Sequence, residues 1–116
     1  MSEEILDFED FLERVQGDTE LLMELLDIFV NDFQEKRQAL GEAFKNNDCQ
    51  GVEHIAHFLK GSCGNISAEA LRKIFFELEQ MGRSQKLENR DYYLDAIDQQ
   101  FEKLAVRIGE IRRKYP

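Results

Sequence analysis

Proline is almost missing from this chain: the only one is Pro116, the last residue, so nothing interrupts helices in the way internal prolines do. Cysteine is scarce as well, and Cys49 and Cys63 form neither a CxxC pair nor a secreted-type framework, which makes a reducing cytosol the expected compartment. Basic charge is in deficit. Fifteen Lys and Arg stand against 24 Asp and Glu, for a net charge of -9 and a pI near 4.7. An acid excess of that size repels phosphate backbones and anionic lipid surfaces, which argues against nucleic acid or membrane as primary partner and for a protein or small molecule. Long apolar runs are missing too: none approaches the ~18 residues of a membrane span. The N-terminal stretch, Met1-Ser-Glu-Glu-Ile-Leu-Asp, is acidic where a signal peptide would be basic and then apolar. There is no internal repeat, low-complexity tract or linker. At 116 residues the chain is expected to be one domain, 1–116, long enough to bury a core but too short for a nucleotide-binding domain plus a substrate domain.

What is present reads as helix. Residues 7–16 place Phe8, Phe11, Leu12 and Val15 on one face and stop at Gly17, a C-terminal cap, after which Asp18 can cap the next helix. That second helix is expected from about Thr19 to Lys45, with Leu22, Leu25, Leu26, Phe29, Phe33, Leu40 and Phe44 at intervals of three or four. Asn46-Asn47-Asp48 breaks it. A third helix follows with Val52, Ile55, Ala56, Leu59, Cys63 and Ile66 on one stripe. A fourth follows Ser67, carries Leu71, Ile74, Phe75 and Leu78, and ends near Gly82-Arg83-Ser84. The last begins around Asn89, and its apolar positions from Leu94 to Tyr115 step alternately by three and four, the spacing of helices packed at a shallow angle. The expected fold is all-α: an up-down four-helix bundle with a short additional N-terminal helix acting as a lid.

The informative stretch is the third helix. At about 100° per residue, His54 and His57 both fall about 150° from the centre of its apolar stripe and so face solvent. Gly61 and Gly64 lie close to His57 in projection, one and two turns on. Each glycine inside a helix costs on the order of 1 kcal/mol against alanine, and packing within the bundle does not explain two of them on the face left to water. A bare surface beside an exposed imidazole does permit close approach by another molecule. Imidazole is a competent nucleophile near neutral pH because its ordinary pKa of about 6.5 leaves much of it unprotonated. Phosphorus is a plausible electrophile, since phosphoryl transfer depends mostly on alignment and on stabilising equatorial oxygens. Lys60, one turn on, can bring an ammonium near whatever the imidazole carries.

The run Ala56-His57-Phe58-Leu59-Lys60-Gly61-Ser62-Cys63-Gly64-Asn65-Ile66-Ser67-Ala68 resembles the histidine-containing phosphotransfer (HPt) domains of bacterial and eukaryotic phosphorelays. Phe-Leu-Glu-Arg-Val-Gln-Gly-Asp at 11–18 and the Leu-rich helix after it look like the family's N-terminal half, so the resemblance covers nearly the whole chain. It implies that His57 is the phospho-acceptor, Lys60 the nearby cation acting on the phosphoryl group, and Gly61 the residue that clears space for a partner. His54, Phe58, Ser62 and Gly64 are the further candidates for the docking face. The resemblance implies receiver domains of response regulators, or a hybrid sensor histidine kinase, as partners. It implies no cofactor in this chain, with magnesium held by the receiver. Two positions depart from the commoner pattern: Phe58 where a smaller or hydroxylated residue is frequent, and Ser67 where glycine is usual. Ser67 is rationalised as the N-cap of the fourth helix.

The expected function is a phosphorelay carrier that takes a phosphoryl group from one receiver aspartate and passes it to another. A non-catalytic receiver-docking module that titrates response regulators is the alternative. No Gly-x-Gly-x-x-Gly or Walker-type loop is present, so autokinase activity is not expected. A metal reading of His54 and His57 would need Glu53 and Cys49 as further ligands. Cys63 reads as a small core residue, Ser62 as bonding back to a carbonyl. Ser2-Glu3-Glu4, Glu77-x-Glu79 and Arg112-Arg113-Lys114 read as solvated faces and complements to helix dipoles. The protein is expected to be a cytoplasmic monomer.

Overall fold

The computed structural model describes residues 4–115; Ser2 and Glu3 of the N-terminal acidic run, and Pro116, lie outside them. Five helices and no strands are found among the described residues: α1 (Phe8–Arg14), α2 (Thr19–Lys45), α3 (Cys49–Asn65), α4 (Glu69–Arg83) and α5 (Arg90–Lys114). Three of the starts are set by aspartates. Asp7, Asp18 and Asp48 each accept a hydrogen bond from the backbone N–H three residues on, at 3.1, 3.0 and 2.9 Å, which satisfies a donor that no helical carbonyl can reach. Gly17 ends the α1 turn at φ +79°, and its N–H donates back to the Leu12 carbonyl at 2.9 Å. With no proline to stop it, α2 runs 27 residues, about 40 Å at 1.5 Å per residue, which matches the 42 Å long axis of the molecule.

The periodic apolar positions converge on one core. Phe11, Leu22, Leu26, Phe33, Leu40, Val52, Ala56, Leu59, Cys63, Leu71, Phe75, Leu78, Ile97 and Leu104 are all buried. Phe33 is its aromatic hub, stacked on Phe101 with ring centres 4.1 Å apart and meeting Phe75 edge-on at 6.3 Å. The α1 helix lies across one end of the bundle, with Phe11 buried and Phe8 stacked on Tyr115 at 5.8 Å.

Three sequence expectations change here. Ser67 does not cap α4: the N-cap position is Ala68, without a side-chain hydrogen bond. Ser67 instead takes the left-handed residue that closes α3, at φ +62°, with its N–H on the Gly64 carbonyl and the Ala68 N–H on the Cys63 carbonyl. That conformation explains why glycine is common at this position; serine adopts it at a cost of roughly 1–2 kcal/mol. Its hydroxyl then donates to Asp10 at 2.6 Å and its carbonyl accepts from the Asp7 N–H at 3.0 Å, fastening α1 to the α3–α4 turn. Arg112 is not merely a complement to the helix dipole, because it reaches Asp27 on α2 at 2.7 Å. The third change, at Glu79, belongs to the site.

Candidate functional site

α3 and α4 form an antiparallel hairpin in which His57 and Glu79 stand equally far from Ala68, so the register places them opposite each other. The helices close tightly because Gly82 has no side chain: a Cβ there would lie 2.7 Å from both the Cys49 carbonyl oxygen and the Glu53 nitrogen. Val52, Ala56, Leu59 and Cys63 point into the core, which turns His57 outward as the periodicity predicts, with 69% of its side chain exposed.

Glu79 is where sequence and structure part. Its side chain is only 4% exposed, and the carboxylate is held by two cations, Lys60 and Arg83, and by the His57 ring. His57 Nδ1 lies 2.6 Å from Oε2, Lys60 Nζ donates to Oε1 at 2.6 Å, and Arg83 Nη2 lies 3.5 Å from Oε2. Burial opposes the charge on this carboxyl, but the hydrogen bonds from Lys60 and His57 outweigh burial and hold it below the usual carboxylate range. An ionised carboxylate only accepts, so the proton between His57 and Glu79 must be on Nδ1. In the neutral imidazole it is then the other ring nitrogen, Nε2, that carries the lone pair, on an exposed ring. Glu79 thus selects the tautomer and fixes the ring's orientation.

The remaining candidates divide. Lys60 is brought to the site, its ammonium also lying 5.6 Å from the centre of the Phe76 ring. Around Gly61 a Cβ would meet nothing within 4 Å, so the bare patch is real; Gly64 is half-buried, with Arg72 Cδ 3.5 Å from its Cβ position, and contributes less to it. Phe58 is exposed and lies under the Lys36 ammonium at 4.8 Å. The Ser62 hydroxyl donates back to the Phe58 carbonyl at 3.1 Å, and Ser62 also edges a shallow groove of about 150 Å³ with Leu25, Ile28 and Asp32. His54 is exposed and is not drawn into the carboxylate cluster.

Among the described residues no group of three or more His, Cys, Asp and Glu is placed to hold a metal ion, and Glu53 faces Arg83 at 3.1 Å. Burial pushes the Cys63 thiol up, in keeping with an inert core residue. No described helix is long and apolar enough to cross a membrane.

Sequence reasoning missed Glu79 and Arg83. A signal existed: on a helical projection Glu79 lies about 70° from the centre of the stripe of Leu71, Phe75, Leu78 and Gly82, at the edge of the buried face and not on the solvated one. Reading the hairpin register across from His57 would have picked it out.

The chain as a whole is similar to known proteins. The crystal structure of histidine-containing phosphotransfer protein B (HptB) from Pseudomonas aeruginosa PAO1 is similar over 99% of this chain and 100% of that chain, with a TM-score of 0.87 and 28% sequence identity. The phosphorelay intermediate protein rdeA of Dictyostelium discoideum is 23% identical over 100 residues. Those residues are 86% of this chain but 39% of that protein, so the chain spans well under half the length of this relative. The model of the Hpt domain family matches residues 24–107, from the first third of α2 into α5, and the chain belongs to that family.

Proposed function

We propose that the protein is a phosphorelay carrier in which His57 Nε2 takes a phosphoryl group from the aspartyl phosphate of one receiver domain and yields it to the aspartate of another. The observation that carries this reading is the 2.6 Å contact between His57 Nδ1 and the buried Glu79 carboxylate, on a ring otherwise open to solvent. In the forward step the Nε2 lone pair attacks phosphorus, and the P–O bond to the receiver carboxylate breaks with its electron pair leaving on the carboxylate oxygen. The ring becomes an imidazolium that keeps its Nδ1 proton. Glu79 faces that new positive charge at hydrogen-bond distance, so it stabilises the product more than the reactant. In the return step an oxygen of the second aspartate attacks phosphorus and the P–N electron pair goes back to Nε2.

Gly61 leaves room for a receiver loop to approach, and Phe58 and the groove beside Ser62 continue that face towards α2. We assign the magnesium requirement to the receiver, and the phosphoryl donor also, since the chain has no phosphate-cradling glycine loop. A cytoplasmic location follows from such partners.

The test is direct. Incubated with a phosphorylated receiver and magnesium, the protein is expected to acquire acid-labile, base-stable phosphate, and His57→Gln to acquire none. Label that persists in His57→Gln, or its absence from the natural protein across cognate receivers, would sink the assignment. Receiver binding without any label would favour the docking-only alternative.

A further inference from the structure

Of the two cations beside the Glu79 carboxylate, only one is placed to leave it. Lys60 Nζ sits 2.6 Å from Oε1 with its side chain 25% exposed, between a carboxylate that is nearly inaccessible to water and the ring of Phe76. Moving this ammonium to a group on Nε2 would strip a buried charge of its closest counter-ion, a change that is strongly unfavourable in a low-dielectric site. Arg83 differs in each respect. Its side chain is 59% exposed, its contacts are longer, 3.5 Å to Glu79 and 3.1 Å to Glu53, and it approaches the same Glu79 oxygen as His57 Nδ1. The direction of the side chains agrees. Helical side chains lean toward the N-terminus of their own helix, so His57 leans along α3 toward the level of Glu53, where Arg83 is anchored. The planar guanidinium also matches two phosphoryl oxygens at once, which an ammonium does not.

We propose a division of labour resting on the carrier reading above: Lys60 is a positioning residue that acts through Glu79 to hold the His57 tautomer, and Arg83 is the cation that turns from Glu53 to meet the phosphoryl oxygens on His57. The positive charge that the sequence motif assigns to Lys60 is then supplied from the neighbouring helix.

Potassium phosphoramidate is a suitable probe because it needs no receiver: His57 Nε2 attacks its phosphorus, the donor P–N bond breaks, and ammonia leaves. Phosphorylation of the full chain is followed by phosphorus NMR, and the His57 tautomer by nitrogen-15 shifts of the ring. Arg83→Ala is expected to slow phosphorylation about ten-fold or more, the worth of one charge-assisted contact, with His57 nitrogen shifts unchanged and partial recovery in Arg83→Lys. Lys60→Met is expected to move the nitrogen shifts away from the Nδ1–H tautomer, and Lys60→Arg to restore them. A natural rate in Arg83→Ala overturns the proposal, as does a slowed Lys60→Met whose nitrogen shifts are unaltered. Arg83 is exposed, so its arm remains decisive even if Lys60→Met fails to fold. If the natural protein takes no phosphoryl group from phosphoramidate or from any receiver, the carrier reading falls first.

Discussion

α3 meets α4 backbone to backbone, whereas α2 meets α5 across side chains. At the first seam a single added carbon on Gly82 would strike main-chain atoms of Cys49 and Glu53 at 2.7 Å. At the second, Phe33 stacks on Phe101, Arg37 spans to Asp98 with bonds of 2.7 and 2.9 Å, and Arg112 reaches Asp27, while an open groove lined by Val30, Ala105, Ile108 and Gly109 separates the backbones. The difference maps onto function. A hydrogen bond that selects a tautomer tolerates errors of only a few tenths of an ångström, and the pair of helices that must hold one is the pair whose spacing is fixed by main-chain contact at Gly82. The outer wall carries no such demand and is closed by groups that can shift.

The largest effect that could break this contrast is at the hub of the wall. Phe33→Ala is expected to cost about 3–5 kcal/mol in urea unfolding while leaving the His57 nitrogen shifts in place; a changed tautomer would mean that the seam depends on the wall. Next come the two glycines. Gly82→Ala is expected to lose about 1–3 kcal/mol through overpacking, more than the gain of up to about 1 kcal/mol that alanine brings to a helix. Gly61→Ala, with open space around it, should be neutral or slightly stabilising in thermal melts while slowing transfer from a receiver. Equal melting shifts at both positions would remove the distinction.

Glu79→Gln is expected to cost about 1–3 kcal/mol at neutral pH through weakened charge-assisted bonds. Because the folded carboxyl titrates below the ordinary Glu value of about 4.3, the stability it contributes is complete above that value and is lost as pH falls through the folded one. The gap between the natural protein and Glu79→Gln should therefore narrow in acid, and unfolding curves showing a constant gap would rule out an ionised Glu79. The smallest effect is at the wall's rim: Arg37→Ala or Asp98→Ala should cost about 0.2–1 kcal/mol, less in high salt, since Asp98 is half exposed.

Much of the fold could be read in advance because its signals are local. The 27 residues of α2 are bounded by Asp18 and by Asn46-Asn47-Asp48, and the stripes of α3 and α5 need only a ruler of three and four residues. His57 and the clearing at Gly61 were equally legible, being consecutive turns of one helix. What escaped was non-local. Glu79 resembles any surface glutamate until the register of a second helix brings His57 and Lys60 to it, and Arg83 is meaningful only beside that carboxylate. Ser67 misled for another reason, because a serine between two helices suits both a cap and a left-handed closure, and only its positive φ decides.

The clasp between α1 and that closure bears on how the domain can be cut. The family match begins at residue 24, yet Asp7 and Asp10 hold the turn from which α3 and α4 diverge, and Phe11 is fully enclosed. A fragment trimmed to the matched boundaries would open a phenylalanine-sized hole at the root of the hairpin and unfasten a left-handed serine that glycine would have tolerated alone. In this chain the first turn of sequence is the hinge pin of the His57–Glu79 site, and grafts or fusions that respect the site should begin before Asp7.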